Sequence, residues 1–495
     1  MMTFIVASIV ERSISGVSRS SKKAFSLGAD LVEVRLDLME IDRVDADFMA
    51  RVRMAVKGPA IATLRSYKEG GASRLTKAAR RKALKAILRS GFEYIDLELE
   101  SDADLLKEIK KTRTRPEIIA SSHFTRPVKA REAETRLRRA CKAGDIGKVA
   151  MPCEDASQAL MLSVISMKFS MNGERFTLIG MGEQGQMTRV CVRQMGSSMV
   201  YCCMPGKPAA PGQLDLRTQL SLYRRDKVVL GLIGHPVSHS VSQPMQEAAL
   251  ARSGLIGAYL HLDVPPKNLD REILERFRNL GFKGLNVTIP HKKNVHSLCD
   301  RLGPSALATG AVNTVKFEAS RIYGENTDVI GLTRMIEGKI RISPDDSALI
   351  VGAGGAARSA AYVLSHLGAD VTVAARSLKK AKDVASMVDG HALPLPLEGK
   401  CHSYDIVVNC TPMGTKSSGG RIPIPARVFK KGTILFDLVY NPPMTKSMKI
   451  AMSREAKAVN GLDMLVHQGA QSFRIWTSKE PDVKAMSRAA KGALR

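Results

Sequence analysis

Asp145-Ile-Gly-Lys-Val-Ala150 reads as a short apolar strand that carries one ammonium, Lys148. Just before it, residues 130–143 form an Ala/Arg/Lys-rich stretch with helical periodicity, and the same strand-and-helix alternation extends in both directions. Residues 1–205 hold eight such apolar runs: 4–9, 31–36, 60–64, 94–99, 118–122, 146–150, 176–180 and 199–203. Strands alternating with helices imply a parallel sheet with crossover helices. Eight units in about 200 residues point to a compact (β/α)8 TIM barrel. In such a barrel the chemistry sits at the C-terminal strand ends. Those ends carry Glu33 and Arg35, Arg65 with Glu69, Glu98, His123, Lys148 and, soon after the seventh run, Arg189. A lysine desolvated in a barrel mouth has its charged form disfavoured, which frees an amine able to attack a carbonyl.

The chain has 495 residues, of which 44% are hydrophobic, so more than one domain with a sizeable core is expected. No run is long and apolar enough for a transmembrane helix, and the N-terminus reads without a signal or transit peptide, so the expected setting is cytoplasmic, with no membrane partner. Eight cysteines lack metal-ligand spacing, which implies reduced buried thiols and no metal. The net charge of +27 is divided between residues 1–222 (+12) and 223–495 (+15). Clusters such as 77–85 and 136–142 read as solvated helix faces, and only 5% of residues are aromatic, so no nucleic-acid partner is expected. A general positive field suits anionic small-molecule substrates.

The first half resembles the type I 3-dehydroquinate dehydratases. The matching stretches are Val32-Glu-Val-Arg-Leu-Asp37, Thr63-Leu-Arg-Ser-Tyr-Lys-Glu-Gly-Gly71, Asp96-Leu-Glu98, Ser121-Ser-His123, Lys148-Val-Ala150, Met181-Gly-Glu183, Thr188-Arg189 and Ala210-Pro-Gly-Gln213. The resemblance implies that Lys148 forms an imine with a ring ketone, that His123 moves the protons and that Glu69 orients His123. Arg189 would pair with the substrate carboxylate, and Glu33, Arg35, Arg65 and Gln213 would hold the ring. Ala209 departs from the serine usual two residues before the Pro-Gly-Gln, which implies weaker hydroxyl binding there.

A Pro/Gly-rich stretch, 206–226, separates this half from a second, with the boundary expected near 222. The second half contains Ser347-Ala-Leu-Ile-Val-Gly-Ala-Gly-Gly-Ala-Ala-Arg358, a strand that runs into glycines and then a helix, as a dinucleotide-binding Rossmann unit requires. Gly352, Gly354 and Gly355, with Ala353 and Ala356, would let the backbone approach a pyrophosphate at the helix N-terminus. The next strand, 371–375, ends in Arg376-Ser377, with Lys380 behind, where an NAD site carries Asp or Glu. The cation favours NADP over NAD. Asn326-Thr-Asp328 allows two readings, a helix N-cap or a site.

This half resembles the shikimate dehydrogenases through Ser238-His-Ser-Val-Ser242, Asn286-Val-Thr-Ile-Pro-His-Lys292, Ala311-Val-Asn-Thr314, Asn326-Thr-Asp328, the glycine loop, Asn409-Cys-Thr-Pro-Met-Gly414, Asp437-Leu-Val-Tyr440 and Gly461-Leu-Asp-Met-Leu-Val-His-Gln468. The resemblance implies a catalytic pair, Lys292 and Asp328, with Ser240, Ser242, Thr288, Asn313, Tyr440 and Gln468 on the substrate and Thr411, Met413 and Gly461 near the cofactor. Ala375 replaces a usual asparagine, and Gln243-Pro-Met-Gln-Glu247 replaces a usual Pro-His-Asn, which affect cofactor affinity and helix packing respectively. The expected domains are 1–222 (barrel), 223–330 (substrate binding), 331–454 (NADP binding) and 455–495 (helices returning to the substrate domain).

The two resemblances are chemically consecutive, because a dehydratase acting on 3-dehydroquinate yields 3-dehydroshikimate, which the dehydrogenase reduces to shikimate. The expectation is therefore a bifunctional, NADP-dependent enzyme of the shikimate pathway, either a monomer or a homodimer. A quinate dehydrogenase in the second half and a non-catalytic ligand sensor are the alternatives.

Overall fold

The computed structural model describes residues 3–40, 45–110, 112, 115–223, 226–238, 240–397, 402–415, 418 and 424–494. The chain divides into two compact units, residues 1–229 with Leu260–Gly281 and Leu230–Tyr259 with Phe282–Arg495.

In the first unit, eight parallel strands follow one another in sequence order: β1 (Phe4–Ile9), β2 (Leu31–Arg35), β3 (Ala60–Thr63), β4 (Tyr94–Glu98), β5 (Glu117–His123), β6 (Ile146–Pro152), β7 (Phe176–Met181) and β8 (Met199–Cys203). β8 pairs with β1. On the remaining side, hydroxyls replace part of the ladder. Ser198 Oγ accepts from the Phe176 N–H at 3.1 Å, Ser197 Oγ from Leu178 at 3.2 Å, and Thr177 Oγ1 from Met199 at 3.2 Å, while the Ser198 N–H donates to the Phe176 carbonyl at 2.6 Å. These bonds satisfy the backbone groups of the β7–β8 seam.

The period of two along each strand sorts the barrel interior by depth. Val6, Leu31, Ile61, Ile119, Ile146, Ile179 and Met199 pack into one apolar cluster. Two residues further on, the same faces carry Ser8, Glu33, Thr63, Ser121, Lys148, Met181 and Tyr201. A floor of aliphatic side chains thus underlies a polar mouth. The opposite strand faces, including Ala7, Val32, Val34, Ala62 and Leu97, bury against helices such as Lys77–Leu88, whose Ala83, Leu84 and Ile87 point inward.

The strands that follow the barrel in sequence form two six-stranded sheets. β9 (Val228–Gly234), β10 (Gly257–Asp263), β11 (Phe282–Val287), β12 (Arg301–Leu302), β13 (Thr314–Phe317) and β14 (Ile322–Glu325) are ordered β10-β9-β11-β13-β14-β12. The other sheet is parallel, with β15 (Ser347–Val351), β16 (Asp370–Ala375), β17 (His391–Pro394), β18 (Ile406–Asn409), β19 (Ile434–Asp437) and β20 (Lys457–Asn460) in the order β17-β16-β15-β18-β19-β20. That order reverses direction beside β15, the doubly wound Rossmann arrangement, and it opens a crevice at the strand C-termini. The C-terminal helices Leu462–Thr477 and Val483–Ala493 return to pack on Asp328–Ile336 and Ser242–Arg252.

Candidate active sites

Lys148 does not stand alone in an apolar mouth. It is 3% exposed, and its Nζ donates to Asp96 Oδ2 at 3.0 Å, lies 3.7 Å from Glu33 Oε1 and sits 3.9 Å from the Tyr201 ring centroid. Burial of an ammonium is tolerable only with such partners. Asp96, from β4, is the group that sequence reading quoted without giving it a role. Arg65 and Lys148 hold its carboxylate well below the usual range despite its burial.

Arg65 occupies the centre of the cluster. Its Nη1 reaches Ser121 Oγ at 3.0 Å and His123 Nδ1 at 2.7 Å, and lies 3.3 Å from Glu69 Oε2; its Nη2 reaches Asp96 Oδ2 at 3.0 Å. These bonds tie Ser121, His123, Glu69 and Asp96 to one guanidinium. Behind it, buried Arg80 forms a two-pronged pair with Asp102, at 2.7 Å on each prong, and lies 3.4 Å from Glu98.

His123 ends β5. Its backbone N–H donates to Glu69 Oε2 at 2.9 Å, and the same oxygen lies 3.1 Å from Nδ1. Two groups therefore compete at Nδ1. If Nδ1 accepts from Arg65, the neutral ring carries its proton on Nε2; if Nδ1–H donates to Glu69, Nε2 is a free base. Burial, Arg65 and Lys148 keep the imidazole pKa well below its ordinary value. Burial and the nearby Glu98 push Glu69 up to about 7, so ionised Glu69 is available to hold Nδ1–H only above that pH.

The other expected residues lie around this cluster. Glu33 accepts from Ser8 Oγ at 2.7 Å and Thr63 Oγ1 at 2.9 Å. Arg35 is paired with Asp37 through two 2.8 Å bonds. Gln213 is 3.4 Å from Ser8 Oγ, and its Oε1 accepts from the N–H of Ala209 at 3.1 Å. Arg189 is buried, donates to the Gly180 carbonyl at 2.5 Å and has no partner for Nε among the described residues; burial lowers its pKa to about 10. The spacing i, i+2 in 33/35, 63/65, 96/98 and 121/123 was the signal that could have found Asp96 and Ser121, because it places successive polar side chains on one strand face.

In the second unit, a cavity of about 690 Å³ is lined by Ser240, Ser242, Thr288, Lys292, Asn313, Asp328, Ala356, Thr411, Tyr440, Gly461 and Gln468, among others. Lys292 Nζ donates to Asp328 Oδ2 at 2.5 Å, and Asn313 Nδ2 donates to Asp328 Oδ1 at 2.7 Å and to Gln468 Oε1 at 3.2 Å. Asp328 is thus oriented from both sides. It begins the helix Asp328–Ile336; Thr327 makes no side-chain capping bond, but Asn326 Oδ1 accepts from the Asp328 N–H at 3.2 Å, so 326–328 serves the helix start while Asp328 also faces Lys292. Ser240 Oγ donates to Ser242 Oγ at 2.9 Å. Sequence reading missed the support behind Asn313, where Ser472 Oγ lies 2.9 Å from Asn286 Nδ2, 2.8 Å from Thr314 Oγ1 and 3.1 Å from Thr327 Oγ1, while the Thr327 N–H donates to Asn313 Oδ1 at 2.7 Å.

The glycine loop leads from β15 into the helix Gly355–His366, and no side chain caps its N-terminus. Gly352 has φ +123°, a conformation that side chains other than glycine rarely adopt. A Cβ on Gly354 would meet only open space, whereas one on Gly355 would come 2.7 Å from Lys292 Cδ. Ala353 is half-buried; Arg376, Ser377 and Lys380 are exposed beyond the end of β16, and Ser377 Oγ caps the Lys380 N–H. Open backbone amides with cations beyond the next strand fit a dinucleotide carrying a 2′-phosphate. Asn409 braces the facing loop: Oδ1 accepts from the Thr411 N–H at 3.1 Å, and Nδ2 donates to the Met413 carbonyl at 3.1 Å and to Asp437 at 2.8 Å. Among the described residues there is no cluster of metal-ligating side chains and no helix long and apolar enough to cross a membrane.

The type I 3-dehydroquinase model matches residues 5–228. Models for the shikimate dehydrogenase substrate-binding domain, shikimate/quinate 5-dehydrogenase and the shikimate 5′-dehydrogenase C-terminal domain match 232–315, 335–418 and 461–491. A solved shikimate dehydrogenase in complex with NADP+ superposes with TM-score 0.51 and 35% identity, covering 55% of this chain and 97% of its own. A shikimate dehydrogenase (NADP(+)) of Archaeoglobus fulgidus is 41% identical over 54% of this chain and 98% of its own length. The chloroplastic bifunctional 3-dehydroquinate dehydratase/shikimate dehydrogenase of Arabidopsis thaliana is 31% identical over 96% of this chain and 82% of its own. With one relative matched across both units, this chain belongs to the family of bifunctional 3-dehydroquinate dehydratase/shikimate dehydrogenases.

Proposed function

We propose that the first unit dehydrates 3-dehydroquinate and that the second reduces the resulting 3-dehydroshikimate to shikimate with NADPH. The observation that carries this reading is the presence, on one chain, of a buried lysine beside a histidine–carboxylate pair and of a Lys292–Asp328 pair in a separate cavity. In the barrel, the Lys148 amine adds to the ring ketone and water leaves, so the nitrogen becomes a cationic electron sink. His123 takes the adjacent proton and returns one to the departing hydroxyl, with ionised Glu69 holding Nδ1–H. Arg189, whose Nε has no partner among the described residues, receives the carboxylate.

In the second unit, Ser240, Ser242, Thr288, Tyr440 and Gln468 hold the substrate carboxylate and hydroxyls. Lys292 gives a proton to the carbonyl oxygen as it is reduced, and Asn313 keeps Asp328 turned toward Lys292. NADPH, held by the 352–356 loop and by Arg376, Ser377 and Lys380, supplies the hydride when bound.

The segments 1–222, 223–330, 331–454 and 455–495 act as barrel, substrate-binding, cofactor-binding and returning C-terminal parts; the chain works in the cytoplasm as a monomer or homodimer. Buried free cysteines such as Cys153, Cys191 and Cys202 agree with a reducing compartment. The test is NADPH consumption with 3-dehydroquinate as the only substrate. Steady oxidation is expected. Its absence overturns the two-step reading, and a repeat with 3-dehydroshikimate assigns the fault to the barrel if oxidation returns and to the dehydrogenase if it does not.

A further inference from the structure

We infer that Tyr201 is a catalytic residue of the barrel, its ring face stabilising the positive charge on Lys148 nitrogen both before and after that nitrogen bonds to substrate. The inference rests on the imine reading of Lys148. Tyr201 lies on β8, two strands from Lys148 in the closing direction, and neither the family motifs nor the charge pattern at the strand ends singled it out.

Three groups surround Lys148 Nζ: Asp96 at 3.0 Å, Glu33 at 3.7 Å and the Tyr201 ring centroid at 3.9 Å. The ring is 5% exposed and anchored among Ile146, Ile179 and Met199, so its face is fixed by packing. Its hydroxyl donates to Met199 Sδ at 3.6 Å, in the apolar floor. The face, not the phenol oxygen, meets the amine. A cation over a desolvated aromatic face is attracted by the ring quadrupole.

The chemistry makes this contact more important as the reaction proceeds. The Lys148 ammonium first gives up one proton to a neighbouring base; the neutral amine's lone pair forms a bond to the carbonyl carbon, the carbonyl oxygen takes that proton and a second from the nitrogen and leaves as water, and the nitrogen keeps one hydrogen and a positive charge. An ammonium has three N–H donors to share between Asp96 and Glu33, whereas the protonated imine has one. Hydrogen bonding to the carboxylates therefore falls. Attraction to a π face needs no N–H, so it persists in the state from which the neighbouring proton is removed. Tyr201 also limits where the nitrogen can sit, keeping it between the ring and Asp96.

A fluorination series separates this role from simple packing. Tyr201→Phe keeps the face and drops the hydroxyl; phenylalanines carrying one, two and three ring fluorines at position 201 weaken the face at nearly constant volume. With 3-dehydroquinate as substrate, Tyr201→Phe should stay within about threefold of the parent kcat. Successive fluorines should lower kcat stepwise, to about tenfold below Tyr201→Phe at three, with KM changing less. The borohydride-trapped substrate adduct on Lys148 should decline in the same order. A flat series overturns the inference, as does a loss in Tyr201→Phe as large as in the trifluoro variant, because that assigns the effect to the hydroxyl. Absence of any trapped adduct in the parent protein overturns the imine reading itself, a result distinguishable from a parent that traps normally beside a flat series. The urea midpoint of barrel unfolding, read in every variant, reports whether the barrel is folded.

Discussion

At the residue scale, the barrel mouth is governed by a few buried charges that must be paired. Asp96 holds both Arg65 and Lys148. Asp96→Asn leaves two buried cations under-compensated, and a loss of about 3–5 kcal/mol is expected from breaking such pairs. The urea midpoint of barrel unfolding should fall accordingly. The pH sign follows from the depressed carboxylate: its contribution is complete above the usual carboxylate range and is lost as pH falls through and below it. The parent barrel should therefore lose stability in acid more steeply than Asp96→Asn. Glu69 behaves oppositely, since its carboxyl is raised to about 7. Below that pH it is protonated and cannot act as the anionic acceptor for Nδ1–H of His123; above it, it can. Dehydratase kcat/KM should rise with pH through about 7, and Glu69→Gln should lose that inflection together with roughly 10²-fold or more of the rate. A Gln variant that keeps the inflection would assign it elsewhere in the Glu69–His123 pair.

At the scale of elements, the glycine loop and the strand that follows it divide the work of the second unit. Gly355 leaves room for the Lys292 side chain, because an added Cβ would stand 2.7 Å from its Cδ. Gly355→Ala should displace Lys292 and lower dehydrogenase kcat by about tenfold or more, without affecting the dehydratase reaction; matched assays with the two substrates check this. The end of β16 acts differently. Arg376 is exposed and forms no ion pair among the described residues, so Arg376→Ala should cost little stability. Its loss should raise the KM for NADPH by about tenfold, the weight of a charge-assisted contact, and should leave the KM for NADH nearly unchanged. Equal effects on both cofactors would remove Arg376 from 2′-phosphate recognition.

At the scale of the whole molecule, each reacting constellation is built within one unit. Lys148→Met should abolish dehydration and leave reduction of 3-dehydroshikimate intact, whereas Lys292→Ala should do the reverse; a coupled assay on 3-dehydroquinate should fail in both and recover when the two variants are mixed. The net charge of +27 adds a diffuse attraction for carboxylate substrates, which salt screens beyond about 10 Å at 0.1 M.

The sequence by itself determined the order of elements and the residues that end them. Strand runs expected at 4–9 and 199–203 are β1 and β8, and the helix expected over 130–143 is Ala130–Ala143. Local periodicity suffices there, because alternation of apolar residues specifies a face without reference to anything distant. The sequence also marked Lys148, His123, Lys292 and Asp328, since they lie in motifs. Tertiary structure alone decided their partners. Asp96 and Lys148 are 52 residues apart, Arg65 and His123 are 58 apart, and Ser472 supports Asn286 from 186 residues away. Contacts at such separation depend on strand register and helix return, and they decide which charges are paired, which histidine tautomer is available and which ring faces the reacting nitrogen.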